Sequence, residues 1–353
     1  MSRHQYLARR ILLSFPVLII AGTIAFAMVY LGPIDPVVAI LGQQYTPEAA
    51  AQIRENLGMN KPLWGQYINF MTSMFTLDLG QSWVINPGQS AKNVIWSYTP
   101  RTIWLGFWAV LIPLFIGIPM GFYAGLNSNS WNDYLTSFGG IVWRAMPNFW
   151  LAVILMTILA NSEQMFGFDW AGWLVPTDIV TPPDLAFLAS PADALFEPAS
   201  FWWTPGDDGS FVGALKQILP AALVLGSASM GNEMRIGRTA VLETINSNYI
   251  ETARAKGLTR RVIVWKHVFR NAMIPLVPII TSEAYLLLGG SVLVELVFAI
   301  NGIGYLFLQS IISGDLPLAG TLIFLFSVLL IVINIAQDFL YTVIDPRVGY
   351  QED

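Results

Sequence analysis

The chain contains no cysteine, so neither a disulfide framework nor a thiolate metal site can form. Its two histidines, His4 and His267, are separated by most of the sequence, which argues against a histidine metal centre. Charge is scarce too. Asp, Glu, Lys and Arg make up 12% of the 353 residues, where soluble domains carry about a quarter. A formal net charge of −5 gives no reason to expect nucleic acid as a partner. No Gly-x-x-x-x-Gly-Lys-Ser/Thr stretch is present, so the chain cannot cradle nucleotide phosphates by that means. It also lacks a nucleophile elbow and a zinc-binding histidine pair.

Apolar side chains are plentiful. They make up 55% of the sequence, including 21 Phe and 13 Trp, and the mean hydropathy is +0.57. About twenty apolar residues cross a bilayer core as a helix. Six segments qualify: 11–31, 103–126, 134–160, 217–234, 272–297 and 319–344. Pro16, Pro113, Pro119, Pro147 and Pro220 fall within or at the ends of these spans, where membrane helices tolerate proline better than soluble ones do. The expectation is an all-α integral membrane protein, one transmembrane domain over 1–353.

Orientation follows from the basic residues. Arg3, Arg9 and Arg10 precede the first span, and eight of the eighteen basic residues lie between Arg235 and Arg270, after the fourth. With six spans these sets share a side, which the positive-inside rule makes cytoplasmic, together with both termini. Residues 32–101 and 161–216 are then extracytoplasmic loops and 235–271 a cytoplasmic one. The Arg9-Arg10 start and Ala25-Phe26-Ala27 superficially resemble a signal peptide, but the apolar run continues to Leu31, so the first helix is expected to stay.

Among the outer segments, Thr46 is placed to cap a helix through Leu57, and Trp64, Tyr67, Ile68, Met71 and Phe75 keep a helical spacing. Residues 161–216 show no clear period. They suit either a vestibule or docking site, or a solvated insertion.

Within the basic loop, Asn248 and Glu251 form a capping-box-like pair, and Gly257 suits a left-handed helix end. The pattern predicts about two turns of helix, ~12 Å long. Leu242, Ile245 and Tyr249 share a face that packs the loop on its own protein, and Thr259 is placed to cap the next helix. Two readings are open: a folded positive-inside loop, or a short rigid element through which a partner moves the helices it joins.

Tyr249-Ile-Glu-Thr-Ala-Arg-Ala-Lys-Gly-Leu258 and Lys266-His-Val-Phe-Arg-Asn-Ala-Met-Ile-Pro-Leu276 resemble the signature loop of permease subunits in binding-protein-dependent ABC importers, closest to the dipeptide, oligopeptide and nickel group. The likeness extends to Leu57-Gly-Met-Asn-Lys-Pro-Leu-Trp64, Asp78-Leu-Gly-Gln-Ser82, Gly289-Gly-Ser-Val-Leu-Val-Glu-Leu-Val-Phe298, Asn301-Gly-Ile-Gly304 and Asp345-Pro-Arg-Val348. The general pattern is Glu-Ala-Ala, three residues, Gly, nine residues, then Ile-any-Leu-Pro. Here Glu251-Thr252-Ala253 and Gly257 are in place, but His267-Val268-Phe269-Arg270 replaces the last element, as in the peptide group. Trp173-Leu-Val-Pro176 resembles a family segment, while 177–211 looks like an insertion.

The resemblance implies the six-helix fold of type I importer permeases in the cell membrane, and a transport subunit without catalysis of its own. It implies a second homologous permease, two cytoplasmic ATPase subunits that bind the ATP and Mg, and an extracytoplasmic solute-binding protein. It makes Glu251, Thr252, Ala253, Arg254, Ala255, Lys256, Gly257 and Leu258 the helix that couples to an ATPase.

Ionisable residues inside spans usually face a bundle interior or an aqueous cavity. Glu283 lies near the middle of the fifth span, while Arg144, Glu233, Glu295 and Asp338 sit nearer span ends. Glu283 with Thr281 and Ser282 is the leading pathway candidate. The alternative is a protonated Glu bonded to a neighbouring helix. Ser227, Ser229 and Asn232 form a polar stripe that either lines the same route or cross-links helices. Gly117, Gly121 and Gly125 permit close helix approach, within the chain or to a second permease. The competing function is an ion-coupled secondary transporter with Glu283 as proton carrier. A membrane enzyme would need a catalytic constellation that is not recognisable.

Overall fold

The computed structural model describes residues 3–32, 35–56, 58–174, 184–202, 209–283 and 292–344. The family-like stretch 345–348, residue 57 and the first three residues of the Gly289 motif lie outside them. The described residues are helical apart from connecting turns and one isolated bridge, Gln81–Ser90. Among the described residues, five helices are long and apolar enough to cross a membrane, or six if one bent pair counts as a span.

The main helices are α1 (Arg3–Tyr30), α2 (Leu63–Thr76), α3 (Ala91–Leu126), α4 (Trp131–Ala145), α5 (Asn148–Ala160), α6 (Phe211–Ile245), α7 (Asn248–Ala255), α8 (260–283), α9 (Val292–Val297), α10 (Ile303–Ser313) and α11 (Leu316–Ile344). Two expected spans are not simple rods. Residues 134–160 are the pair α4 and α5, bent by 97° around Met146-Pro147. Proline removes an amide donor and clashes with the preceding turn, so one straight helix cannot pass through it. The fifth segment, α8, proceeds through a π turn at Ile263–Val268 and a 3-10 turn at Ile274–Leu276, where Pro275 again interrupts the ladder. A further π turn, Pro113–Gly117, interrupts α3.

By their contacts, residues 1–100 with 301–335 form one compact unit and 101–300 with 336–344 a second.

In the first unit α1, α2, α10 and α11 bury Ala25, Phe26, Val29, Phe70, Met74, Leu306, Leu318, Leu322 and Phe324. Thr46 caps the outer helix as expected, its hydroxyl accepting from Ala49 N at 3.2 Å, and Gly22 leaves room for Met71. The loop after α2 is held by one carboxylate. Asp315 is fully buried and accepts from the Ser82 hydroxyl at 2.5 Å and from the backbone amides of Trp83, Val84 and Ile85 at 3.0–3.1 Å. Four donors on one ionised acceptor satisfy a charge that would otherwise be expensive to bury.

The second unit is organised on α6. Gly117, Gly121 and Gly125 bring α3 against it: a Cβ at Gly121 would collide with the Met234 backbone, and one at Gly125 with Val241 and the Arg238 carbonyl. Of the two uses expected for these glycines, the intramolecular one is occupied. On the other side Gly140 of α4 meets Gly231 of α6 backbone to backbone. An apolar layer of Leu105, Leu151, Ala152, Ile218, Ala221, Ala222 and Leu225 fills the interior.

Part of the aperiodic 161–216 segment is packed rather than loose. Phe187 and Phe201 join Trp104 and Phe211 in an edge-to-face aromatic cluster with ring centres 5.3–5.7 Å apart. The Trp104 indole donates to the Ala214 carbonyl at 3.1 Å. The parts of the insertion at 177–183 and 203–208 lie outside the described residues.

Candidate functional site

The basic loop begins where α6 ends at Ile245. The two-turn helix is present as α7, but its cap differs from the expected one. Ser247, with extended backbone, occupies the N-cap, and its hydroxyl donates to the Thr244 carbonyl at 2.6 Å instead of accepting from the helix. Asn248 is therefore the first helical residue and not the cap. The far end follows the expected glycine stop. Gly257 has φ +76°, its amide donates to Arg254 O at 2.9 Å, and Leu258 N donates to Ala253 O at 3.2 Å. This pair of bonds is a Schellman closure, and its left-handed residue disfavours any side chain. Thr259 stands at the N-cap of α8 without a side-chain bond.

The seat of α7 is only in part the expected one, since Ile245 packs against it but Tyr249 does not. Tyr249 is 45% exposed, and Leu242 and Ile245 are half-buried. Ile250 and Ala253, one turn apart, make the attachment, packing with Ile263, Val268, Ala240 and Val241. This spacing of an aliphatic and a small residue was readable but was outweighed by the larger tyrosine. Glu251, Thr252, Arg254, Ala255, Lys256, Gly257 and Leu258 lie on the exposed side, with Arg260, Arg261, Lys266 and Arg270 beyond them.

Upstream, Arg238 of α6 forms a two-pronged ion pair with Asp133 of α4, Nε to Oδ1 at 2.5 Å and Nη2 to Oδ2 at 2.8 Å. Asp133, 1% exposed, also accepts from Asn129 N at 2.9 Å and from the Ser137 hydroxyl at 3.3 Å. The start of α4 is thereby tied to the end of α6 that feeds the loop.

The sequence model of the family "binding-protein-dependent transport system inner membrane component" matches residues 117–350, and the family's N-terminal model matches 3–87. The chain belongs to this permease family. A dipeptide transport system permease protein of Alkalihalophilus pseudofirmus is 33% identical over 345 residues, 98% of this chain and 99% of that one. Its counterpart in Escherichia coli K12 is 30% identical over 355 residues, 99% of each. A putative peptide transport system permease protein of Brucella suis is 33% identical over 346 residues, 97% of this chain and 98% of its own.

The permease places its polar span residues unevenly. Ser227 donates to Val224 O, and Thr281 to Val277 O, each turning back on its own helix. The Ser282 side chain lies outside those described. Asn232 accepts from the Arg144 guanidinium at 3.0 Å. Ser229 and Glu283 interact, and Glu283 in turn faces Glu233. Glu233 is 1% exposed and Glu283 8%. Neither oxygen of Glu233, nor Oε2 of Glu283, has a hydrogen-bond partner. Glu283 was expected near the middle of its span beside Thr281 and Ser282, with Glu233 and Arg144 nearer span ends. The three instead converge where α4 breaks into α5. The signal for Glu233 was its position one turn beyond Ser229. Nothing local announced the bend that delivers Arg144. Glu295 is also fully buried and accepts from Thr102 at 3.0 Å.

Proposed function

We propose that this permease is one of two homologous membrane subunits of an ATP-driven importer of di- or oligopeptides. Near full-length similarity to relatives named for dipeptide and peptide transport supports the substrate class. The single observation that carries the mechanism is α7, a short helix with a glycine stop, an exposed polar face and a small apolar seat on the helices it joins. In this reading residues 251–258 dock in a cytoplasmic ATPase subunit, and two such ATPases bind the ATP and Mg. An extracytoplasmic solute-binding protein delivers the cargo. The basic loop and both termini are cytoplasmic, in keeping with the positive-inside rule.

ATP binding draws the ATPases together. Motion of α7 passes through Ile250 and Ala253 to α8 and directly along the chain to α6, whose tie to α4 is Arg238–Asp133. The two permeases then open outward to receive substrate, and hydrolysis restores the inward state.

Gly257→Val forces a branched residue into the left-handed region and should unwind the end of α7. Expected are a loss of ATPase co-purification in mild detergent and a fall in uptake of about tenfold or more. Uptake by the chain alone in vesicles, without nucleotide and abolished by a protonophore, would sink this reading and favour proton coupling through Glu283.

A further inference from the structure

A charged side chain in a membrane span is costly and is normally paired or turned toward water. In the second unit three such groups meet without pairing off. Glu233 and Glu283 face each other in a buried position. Arg144 binds Asn232, the neighbour of Glu233, rather than either carboxylate, yet lies close enough for its charge to act on Glu233. Three carboxylate oxygens of the acid pair have no donor, which is an expensive condition for a buried acceptor.

The surroundings add two features. Arg144 comes one residue before the end of α4, beside the 97° bend into α5. Interrupted helices of this kind build the substrate sites of many transporters, because they free backbone groups at mid-depth. Trp143 and Ser227 also line an apolar groove of about 330 Å³, with Leu151, Leu155, Leu223 and Val224.

We propose that this corner is a transit site for a zwitterionic peptide, resting on the importer function above. The acid pair receives the terminal ammonium, Arg144 receives the terminal carboxylate, and the groove takes an apolar side chain. A dipeptide holds its end charges about two residue lengths apart, ~7 Å at most, a span suited to neighbouring groups of opposite sign that do not neutralise one another. An ammonium supplies the donors that the carboxylates lack. A planar guanidinium is the side chain best matched to a carboxylate. In the state described the acids are shut from solvent, so the site accepts cargo when the pathway opens.

The test uses the complete importer in vesicles, with one unaltered receptor protein throughout. Uptake is compared for alanyl-phenylalanine, its N-acetyl derivative and its C-terminal amide. Because the receptor is constant, a change in the ratio between peptides arises in the membrane subunits. Glu283→Gln and Glu233→Gln should lower uptake of the free dipeptide relative to the N-acetyl form by about tenfold. Arg144→Gln should lower it relative to the amide by a similar factor, while Glu283→Asp and Arg144→Lys keep most of the discrimination. Unchanged ratios in all variants, including a uniform fall for every peptide, would overturn the site and leave these residues a packing role. Wild-type vesicles that take up no peptide at any nucleotide concentration would instead overturn the importer reading, and this inference with it.

Discussion

Single side chains carry much of the specification here, and Asp315 is the clearest case. Its four hydrogen bonds fix residues 82–85 to the turn between α10 and α11. An asparagine there keeps the size but loses the charge, and its amide protons face donors. Asp315→Asn should destabilise the protein by about 2 kcal/mol, since hydrogen bonds to charged groups are worth roughly 1.5–3 each and only some are lost. A lower thermal midpoint in detergent and faster proteolysis within 80–90 would report it. An unchanged midpoint and cleavage pattern would mean that the loop holds by other means. No sequence signal marked Asp315, because its partners lie 230 or more positions away. The pairing of Glu233 with Glu283 was hidden for the same reason. Ser247 displaced Asn248 as cap through a merely local competition between neighbouring polar side chains.

At the scale of elements, the apolar runs were legible because a bilayer-spanning helix must be both long and uniformly apolar. Departures from straightness were not. Pro113 and Pro147 were visible but were read as tolerated, and Pro275 only as part of the loop motif, because the size of a bend depends on what the two halves pack against. The glycine row of α3 was visible, whereas its target was not. Gly121→Ala places a methyl group on the Met234 backbone, and overpacking of this kind costs typically 1–3 kcal/mol. Gly139 on α4 has open space around it, so Gly139→Ala should be neutral or slightly stabilising through helix propensity. Thermal unfolding of the two variants side by side should separate them. Equal stability would remove the close α3–α6 contact as a constraint.

For the whole molecule, the sequence pattern was enough to reach an all-α membrane protein and its family. Division into two compact units was not readable, since it depends on which distant helices meet: α10 and most of α11 return to the N-terminal hundred residues. Orientation, the remaining global property, is open to direct measurement because the chain offers no native thiol. Lys256→Cys, on the exposed face of α7, should react with a membrane-impermeant thiol reagent only in inside-out vesicles. Trp64→Cys, at a site 70% exposed, should react only in intact cells. The reverse pattern would invert the topology and remove α7 from reach of cytosolic proteins.

The modest seat of α7 has a mechanical consequence. Burying one isoleucine and one alanine contributes roughly 3 kcal/mol, which limits the torque that this joint transmits before it slips. In the importer reading proposed above, any larger stroke of an ATPase docked on α7 must travel along the covalent chain into α6 or α8. The contact therefore behaves as a clutch, holding the two shafts in register at rest and letting go under overload.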